Sequence, residues 1–311
     1  YGQRYSATVL NDAVDFVKLA EAMGAVGVRA TTQEEFKEAF ANALTMGRPV
    51  VIDCQIDCDD KVWPMVAPGA AISEAFSEED LQNATRKAFE MGWNSVKLYF
   101  MIGLPTETYD DLDGIAKLAY DVIDTYRDVH NGKLKRSFGV TVSTSTFVPK
   151  PFTPFQWHGQ DTTEEVVEKQ RHLVKKLKNK DIKYNYHDSK TSLMEAVIAR
   201  GDRRIGKVIY DAFKNGAKFD GWAEHFKLEI WEEAMANNGL DIAFYANRER
   251  SYEEVFPWDH IDVGVSKKFL IRENEKAKKA ELTRNCLEGC TGCGVNIGFK
   301  EGKCFEGAIR N

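Results

Sequence analysis

Four cysteines near the end of the chain carry the strongest chemical signal. Cys286, Cys290 and Cys293 read C-x3-C-x2-C, and Cys304 follows eleven residues later. Thiolates on a short loop can hold one corner of an iron–sulfur cube or a tetrahedral zinc ion. Gly289, Gly292 and Gly294 let the backbone fold around such an ion. Thiolate chemistry alone leaves iron–sulfur and zinc both open, with unligated cysteines as the plain alternative. Cys54 and Cys58 are a different case. On one strand they stand roughly 13 Å apart, at about 3.3 Å per residue. That is too far for a disulfide or a shared metal, so they are expected to be buried thiols. A second constellation is Gly103-Leu104-Pro105-Thr106-Glu107-Thr108, which follows a near-continuous apolar strand from Val96 to Ile102. A turn at the carboxyl end of a parallel strand is where α/β proteins collect their ligands. Pro105 shapes that turn, and Thr108 caps the next helix. His225 and His260, beside Glu224, Asp259 and Asp262, have acid–base capacity. Structural packing of these histidines on helix faces is the simpler reading. Arg200, Asp202, Arg203 and Arg204 form a potential anion clamp. The plainer account has Asp202 capping the next helix and the arginines exposed.

The elements that must position these groups are legible from periodicity. Asn11 or Asp12 caps a first helix, with Ala13, Phe16, Val17, Ala20 and Met23 at helical spacing. A strand over 26–30 follows. Thr32 and Glu35 form a capping box for a second helix, and a strand follows over 50–57. Strand, helix, strand implies a parallel α/β layer. Ser77 caps another helix. The strand from Val96 is expected to be buried on both faces. The helix after Thr108 turns Leu112, Ile115, Ala116, Ala119, Val122 and Ile123 to one side. A strand over 140–147, a helix over 164–178 and an alternating strand at Ile182, Tyr184 and Tyr186 complete a run of β-α units. Helices are expected over 192–199, 204–215, 222–237 and 266–282. The fold class is therefore α/β. It combines a partial parallel α/β layer (1–76), part of a β/α barrel (77–190), a helical region (191–285) and a cysteine-rich tail (286–311).

Composition narrows the function classes. The chain has 311 residues with 43% hydrophobic, enough for two ordinary domains. A formal net charge of -6 argues against wholesale nucleic-acid binding. The basic runs Arg171 to Lys183 and Lys267 to Lys279 read as solvated helix faces, with an RNA-binding stripe as the weaker alternative. No apolar run approaches the roughly 20 residues of a membrane span, and no signal peptide is evident. A cytoplasmic, reducing location is expected for six cysteines without a secretory signal. The start at Tyr1, in mid-pattern, reads as a fragment.

Two resemblances sharpen these readings. RYSATVL, DFVKLAEAMGAVGVRA, RPVVIDCQID and VWPMVAPGAAISE, in residues 1–76, resemble the end of the acetolactate synthase large subunit. That family is thiamine diphosphate dependent and condenses pyruvate-derived units. The resemblance implies thiamine diphosphate and magnesium held by a Gly-Asp-Gly motif upstream of Tyr1. That motif does not occur in this sequence, so neither cofactor is expected to bind here. Trp63, Pro64 and Met65 match the family's tail and are expected to serve as packing residues. From residue 77 onward the chain resembles the C-terminal half of an uncharacterised radical S-adenosylmethionine (radical SAM) family. The match is carried by the Gly-Leu-Pro-x-Glu-Thr unit, FVPKPFTPFQW, AVIARGDRRIGKVI, KFDGWAEHF, YANRER, PWDHIDVGVSKKFL and CLEGCTGCGV. This implies a parent that cleaves S-adenosylmethionine reductively with a 4Fe-4S cluster, on a substrate that the residues do not name. Gly103, Leu104, Pro105 and Glu107 would then belong to the SAM pocket, and Ser143 and Ser145 would face the barrel interior. The C-x3-C-x2-C spacing also spells the radical SAM cluster motif. Its place after the last helices, with 18 residues remaining after Cys293 and Gly292 where the family has an aromatic, marks it instead as an auxiliary cluster. The join near residue 76 has no linker rich in Gly, Pro or Ser, and reads as a chimera of two incomplete catalytic domains, inactive as it stands. The complementary half of the barrel is the candidate partner in trans.

Overall fold

The computed structural model describes residues 14–55, 77–284 and 289–295. The chain divides into two compact units, one up to Pro68 and one from Gly69. In the first unit, helix α1 (Phe16–Ala22) and strand β1 (Val26–Ala30) are followed by helix α2 (Gln33–Ala43) and strand β2 (Val50–Cys54). β1 and β2 pair in parallel, from Val26 opposite Val50 to Ala30 opposite Cys54. The predicted capping box on α2 is present: Thr32 Oγ1 accepts the Glu35 N–H, and Glu35 accepts the Thr32 N–H. The cap of α1 is Asp15, not Asn11 or Asp12, which lie outside the described residues. Arg29 ties the layer together. It reaches Asp53 at 3.1 Å on the neighbouring strand and Asp15 at 3.1 Å at the start of α1. Gly27 lets β1 approach α1 closely, since a Cβ there would sit 2.6 Å from the Val17 carbonyl oxygen. Cys54 ends β2 and is exposed, which corrects the expectation of a buried thiol. Its strand has a pairing partner on one side only among the described residues, so its end is not enclosed. Cys58, Trp63, Pro64 and Met65 lie outside the described residues.

The second unit begins with helix α3 (Glu78–Glu90), capped by Ser77 as predicted. Three strands follow: β3 (Ser95–Ile102), β4 (Gly139–Thr146) and β5 (Ile182–Tyr186), joined through helices α4 (Tyr109–Val129) and α5 (Thr163–Lys176). The strands lie in sequence order, all parallel. No closed barrel forms among the described residues; the sheet is open. One face of it is covered by α3, α4 and α5, with Leu98, Ile102, Val140 and Val142 packed against Phe89, Leu112, Ala119, Ile123 and Leu173. All six residues predicted for the apolar face of α4 are buried there. Among the described residues, nothing covers the other face. Tyr99 is 71% exposed and Met101 45%, which corrects the reading of β3 as buried on both sides. The physical reason is that a strand's side chains alternate, so a single helical layer can bury only one set of them.

The helical region packs as part of the same unit. It comprises α6 (Ser189–Ala199), α7 (Ile205–Lys214), α8 (Leu228–Asn237), α9 (Ile242–Ala246) and α10 (Lys267–Ala277). Met194, Val197, Val208, Trp231, Met235 and Tyr245 form its core. A smaller aromatic cluster joins Trp157, Phe256, Trp258 and Leu270. The helix expected over 222–237 is shorter. Residues 222–225 form a bend and turn, and the helix begins only at Leu228, after the extended Lys227 backbone. None of the described helices is long and apolar enough to cross a membrane.

Candidate functional site

The strand end that sequence singled out is a real feature of the second unit. Gly103 closes β3 with a left-handed backbone at φ 79°, and a Cβ there would come within 3.0 Å of the Asp161 carboxylate. The Glu107 N–H donates to the Leu104 carbonyl, turning the chain back on itself. Both Glu107 carboxylate oxygens then accept the Gly103 N–H, at 2.9 and 3.0 Å. Lys169 of α5 completes the arrangement, 2.9 Å from Glu107 and 2.7 Å from Asp161. Burial opposes charge on Lys169, but its bonds to Asp161 and Glu107 outweigh that and hold the ammonium above its ordinary pKa. The loop borders a cleft of about 310 Å³ lined by Phe100, Met101, Leu104, Pro105, Thr106 and Glu107, with Asp111 and Ile115.

Of the four residues read as a cofactor pocket, Leu104, Pro105 and Glu107 therefore line one cleft, and Gly103 shapes it. The Glu107 carboxylate is only 5% exposed and its oxygens are taken by Gly103 and Lys169. It holds the loop rather than presenting a free acid. Thr108 does begin α4, through its N–H and hydroxyl donated to Asp111. Ser143 and Ser145 stand in register with Tyr99 and Met101 on the uncovered side of the sheet. On the covered side, Tyr184 bonds Thr144 at 2.8 Å, and burial pushes its phenol up to about 12.

Sequence reasoning missed Lys169 and Asp161. Their convergence with Glu107 is visible only once α5 packs beside the loop. It also missed a polar chain in the helical region. There Asn274, fully buried, donates to the Tyr252 hydroxyl at 2.7 Å and faces His158 Nε2 at 2.8 Å with its carbonyl oxygen. That orientation makes His158 Nε2 the donor. Nδ1 lies 3.6 Å from the exposed Glu249. Burial, followed by the bond to Glu275, holds the Tyr252 phenol above its ordinary pKa. These groups border a second cavity of about 250 Å³, with Trp157, Arg250 and Lys278 also on its wall. His225 and His260, weighed for acid–base roles, are both exposed and lie outside the helices.

The arginine cluster also differs from expectation. Asp202 does not cap α7, whose N-cap is Arg204 without a side-chain cap bond; it braces the turn before the helix, accepting the Arg204 N–H at 2.9 Å and the Arg204 guanidinium at 2.6 Å. The bond to Arg204 holds its carboxyl down at about 2. Arg200, however, is 1% exposed rather than on the surface. It donates to the carbonyls of Tyr245 and Arg248 at 2.7 Å each, and to that of Ala246. Burial, then the neighbouring Arg250 and Arg248, push its guanidinium below the ordinary range. It is a structural pin for the end of α9, not a substrate clamp.

Of the cysteine set, Cys286 and Cys304 lie outside the described residues. Cys290 is exposed and Cys293 partly so. The loop that carries them is docked on α10, with Ser266 N–H donating to the Cys293 carbonyl at 2.8 Å and Arg272 to the Thr291 carbonyl. The Gly292 N–H points at the Cys290 sulfur, 3.4 Å away. Among the described residues, no group of three or more His, Cys, Asp and Glu side chains converges on a metal-sized site.

Comparison with known proteins bears on the first unit. Residues 1–54 match the family model for the thiamine pyrophosphate enzyme C-terminal TPP binding domain. Over 79 residues the chain is 46% identical to acetolactate synthase of Mycobacterium leprae, a match covering 24% of this chain and 13% of that protein. Over 74 residues it is 38% identical to the acetolactate synthase isozyme 2 large subunit of Escherichia coli, covering 24% and 14%. This segment is acetolactate-synthase-like. A further match, 31% identical over 144 residues, is to an uncharacterised protein of Methanocaldococcus jannaschii, covering 46% of this chain and 29% of that one. The chain thus spans less than a third of each of these relatives. No solved structure gives a significant match.

Proposed function

We propose that the first unit serves as the closing segment of a thiamine diphosphate-dependent domain of the acetolactate synthase type. The observation that carries this reading is the 46% identity over 79 residues, together with the family-model match to residues 1–54. The parallel β1–α2–β2 layer is in keeping with it. When bound, thiamine diphosphate supplies carbanion stabilisation for the condensation of two keto acids. The described side chains of this unit do not fit the role of holding it. Arg29, Asp15 and Asp53 satisfy one another, and no metal-type donor set converges there. The segment therefore builds the wall of a site whose magnesium and diphosphate ligands come from other peptide. Calorimetric titration with thiamine diphosphate and magnesium tests this. No heat of binding is expected from the chain alone. Saturable binding is expected once it is mixed with an acetolactate synthase large subunit lacking the matched segment. No binding by the mixture contradicts the reading.

A second reading concerns the second unit. Three parallel strands, with a Gly-Leu-Pro-x-Glu loop bordering a cleft at the end of β3, support a radical SAM-like parentage. On it, Leu104 and Pro105 meet S-adenosylmethionine, and Cys286, Cys290, Cys293 and Cys304 hold an iron–sulfur cluster or zinc. Hydrogen exchange of the Gly103, Leu104, Thr106 and Glu107 amides should slow when S-adenosylmethionine is added; unchanged exchange argues against the cleft as its site. Iron and zinc content should fall in Cys290→Ala relative to the unaltered chain, and equal content would remove the metal from the account.

A further inference from the structure

The first unit buries little of its own apolar surface. Among its described residues, the buried hydrophobic side chains are three alanines, Ala20, Ala30 and Ala39. None of its larger apolar side chains joins any of the buried clusters. Helix α2 shows the consequence most clearly. Phe36 is 41% exposed, Phe40 51% and Leu44, the C-cap, 74%. They stand four residues apart and so form one ridge along the helix. The Phe36 and Phe40 rings stack at 5.8 Å. Ala39 and Ala43, one position earlier in successive turns, are the residues withdrawn from solvent, while Glu34 and Glu38 fall on the opposite side. The ridge therefore borders the buried side of α2, on the flank that a wider sheet would reach.

The sheet explains why the ridge is bare. β1 and β2 have five residues each, and among the described residues they pair only with each other. Two strands lie about 5 Å apart, whereas the helix packed on them is about 10 Å across. A layer this narrow cannot cover the flank of α2. Parallel strands ordinarily belong to wider sheets that carry helices on both faces.

We infer that the ridge of Phe36, Phe40 and Leu44 is a docking surface for the remainder of a thiamine diphosphate domain, presented by an acetolactate synthase-type large subunit. The inference rests on the reading of the first unit under Proposed function and names the surface that the assembly uses. Two observations choose this occupant. The ridge lies within residues 1–54, the stretch that matches the thiamine pyrophosphate enzyme family model. The acetolactate synthases of Mycobacterium leprae and Escherichia coli carry their matched stretches as 13% and 14% of their length, so most of each relative lies outside the match. A second copy of this chain is the rival occupant and is an outcome of the test.

The full chain is immobilised and titrated with an acetolactate synthase large subunit lacking the matched 79 residues, with binding read by biolayer interferometry. Phe40→Glu and Leu44→Lys should each weaken binding by at least about tenfold, because each puts a charge into the apolar contact. Met91→Lys, at a more exposed apolar position in the second unit, should bind like the unaltered chain. Leu44 is exposed, and a cation at a helix C-terminus suits the dipole, so Leu44→Lys should melt like the unaltered chain. Undiminished binding by both α2 variants would overturn this surface and leave the acetolactate synthase reading standing. No binding by the unaltered chain would overturn that reading and the inference with it. Dimerisation of the chain that Leu44→Lys abolishes would assign the ridge to a second copy and equally overturn the inference.

Discussion

Arg200 illustrates how one side chain can hold a fold. Its guanidinium satisfies carbonyls at the end of α9 that a helix leaves without intrahelical partners. Replacing it with Met would leave the Tyr245 carbonyl without its side-chain donor, while that of Ala246 keeps the Gln160 N–H. Arg200→Met should therefore destabilise the second unit by about 3 kcal/mol, read from urea unfolding followed by tryptophan fluorescence. A loss near zero would mean that Arg200 is dispensable. Asp202, two residues on, gives a pH signature. Its carboxyl titrates at about 2 in the folded chain, against 3.8 for the free group, because Arg204 and Tyr245 favour the charged form. The stability it contributes is complete above its unfolded value and drains away as pH falls through about 2. Asp202→Asn should thus cost about 1–2 kcal/mol at pH 7, with the difference from the unaltered chain closing in acid. A constant difference from pH 7 to pH 2 would contradict this assignment. Cys54, by contrast, makes a single weak contact, to the Ile52 carbonyl, and no role is assigned to it.

At the scale of elements, the loop after β3 depends on α5. Lys169→Met should leave the Glu107 carboxylate without its cation and destabilise the unit by about 3 kcal/mol. The double variant Lys169→Met with Glu107→Gln should cost less than the single one. Exchange of the Gly103 amide should accelerate in both. Additive costs would show that the two groups act separately. These elements also show what the sequence could carry. Thr32, Ser77 and Thr108 were legible as caps because capping is local, decided within four residues. The apolar face of α4 was legible because its period matches a helix. The exposure of Tyr99 and Met101 was not, since an apolar strand does not say how many layers will cover it. Lys169 and Asn274 were not legible either. Each gains its role from partners 8 to 116 residues away, Asp161 for Lys169 and His158 for Asn274. Trp222 was read into a helix over 222–237, but the extended Lys227 backbone delays the start of α8 to Leu228.

The molecule as a whole joins two units of different character. The first carries an acetolactate-synthase-like sequence on a small parallel layer. The second holds its own sheet, helical core and loop latch. The proposed role of the first unit, as a segment of a thiamine diphosphate site, depends on ligands from other peptide. The most direct measurement is acetolactate formed from pyruvate, with thiamine diphosphate and magnesium, by a mixture of this chain and an acetolactate synthase large subunit lacking the matched 79-residue segment. The account predicts no product from either alone and measurable turnover from the mixture. Turnover by this chain alone, or none from a mixture in which the two are shown to associate, would contradict it.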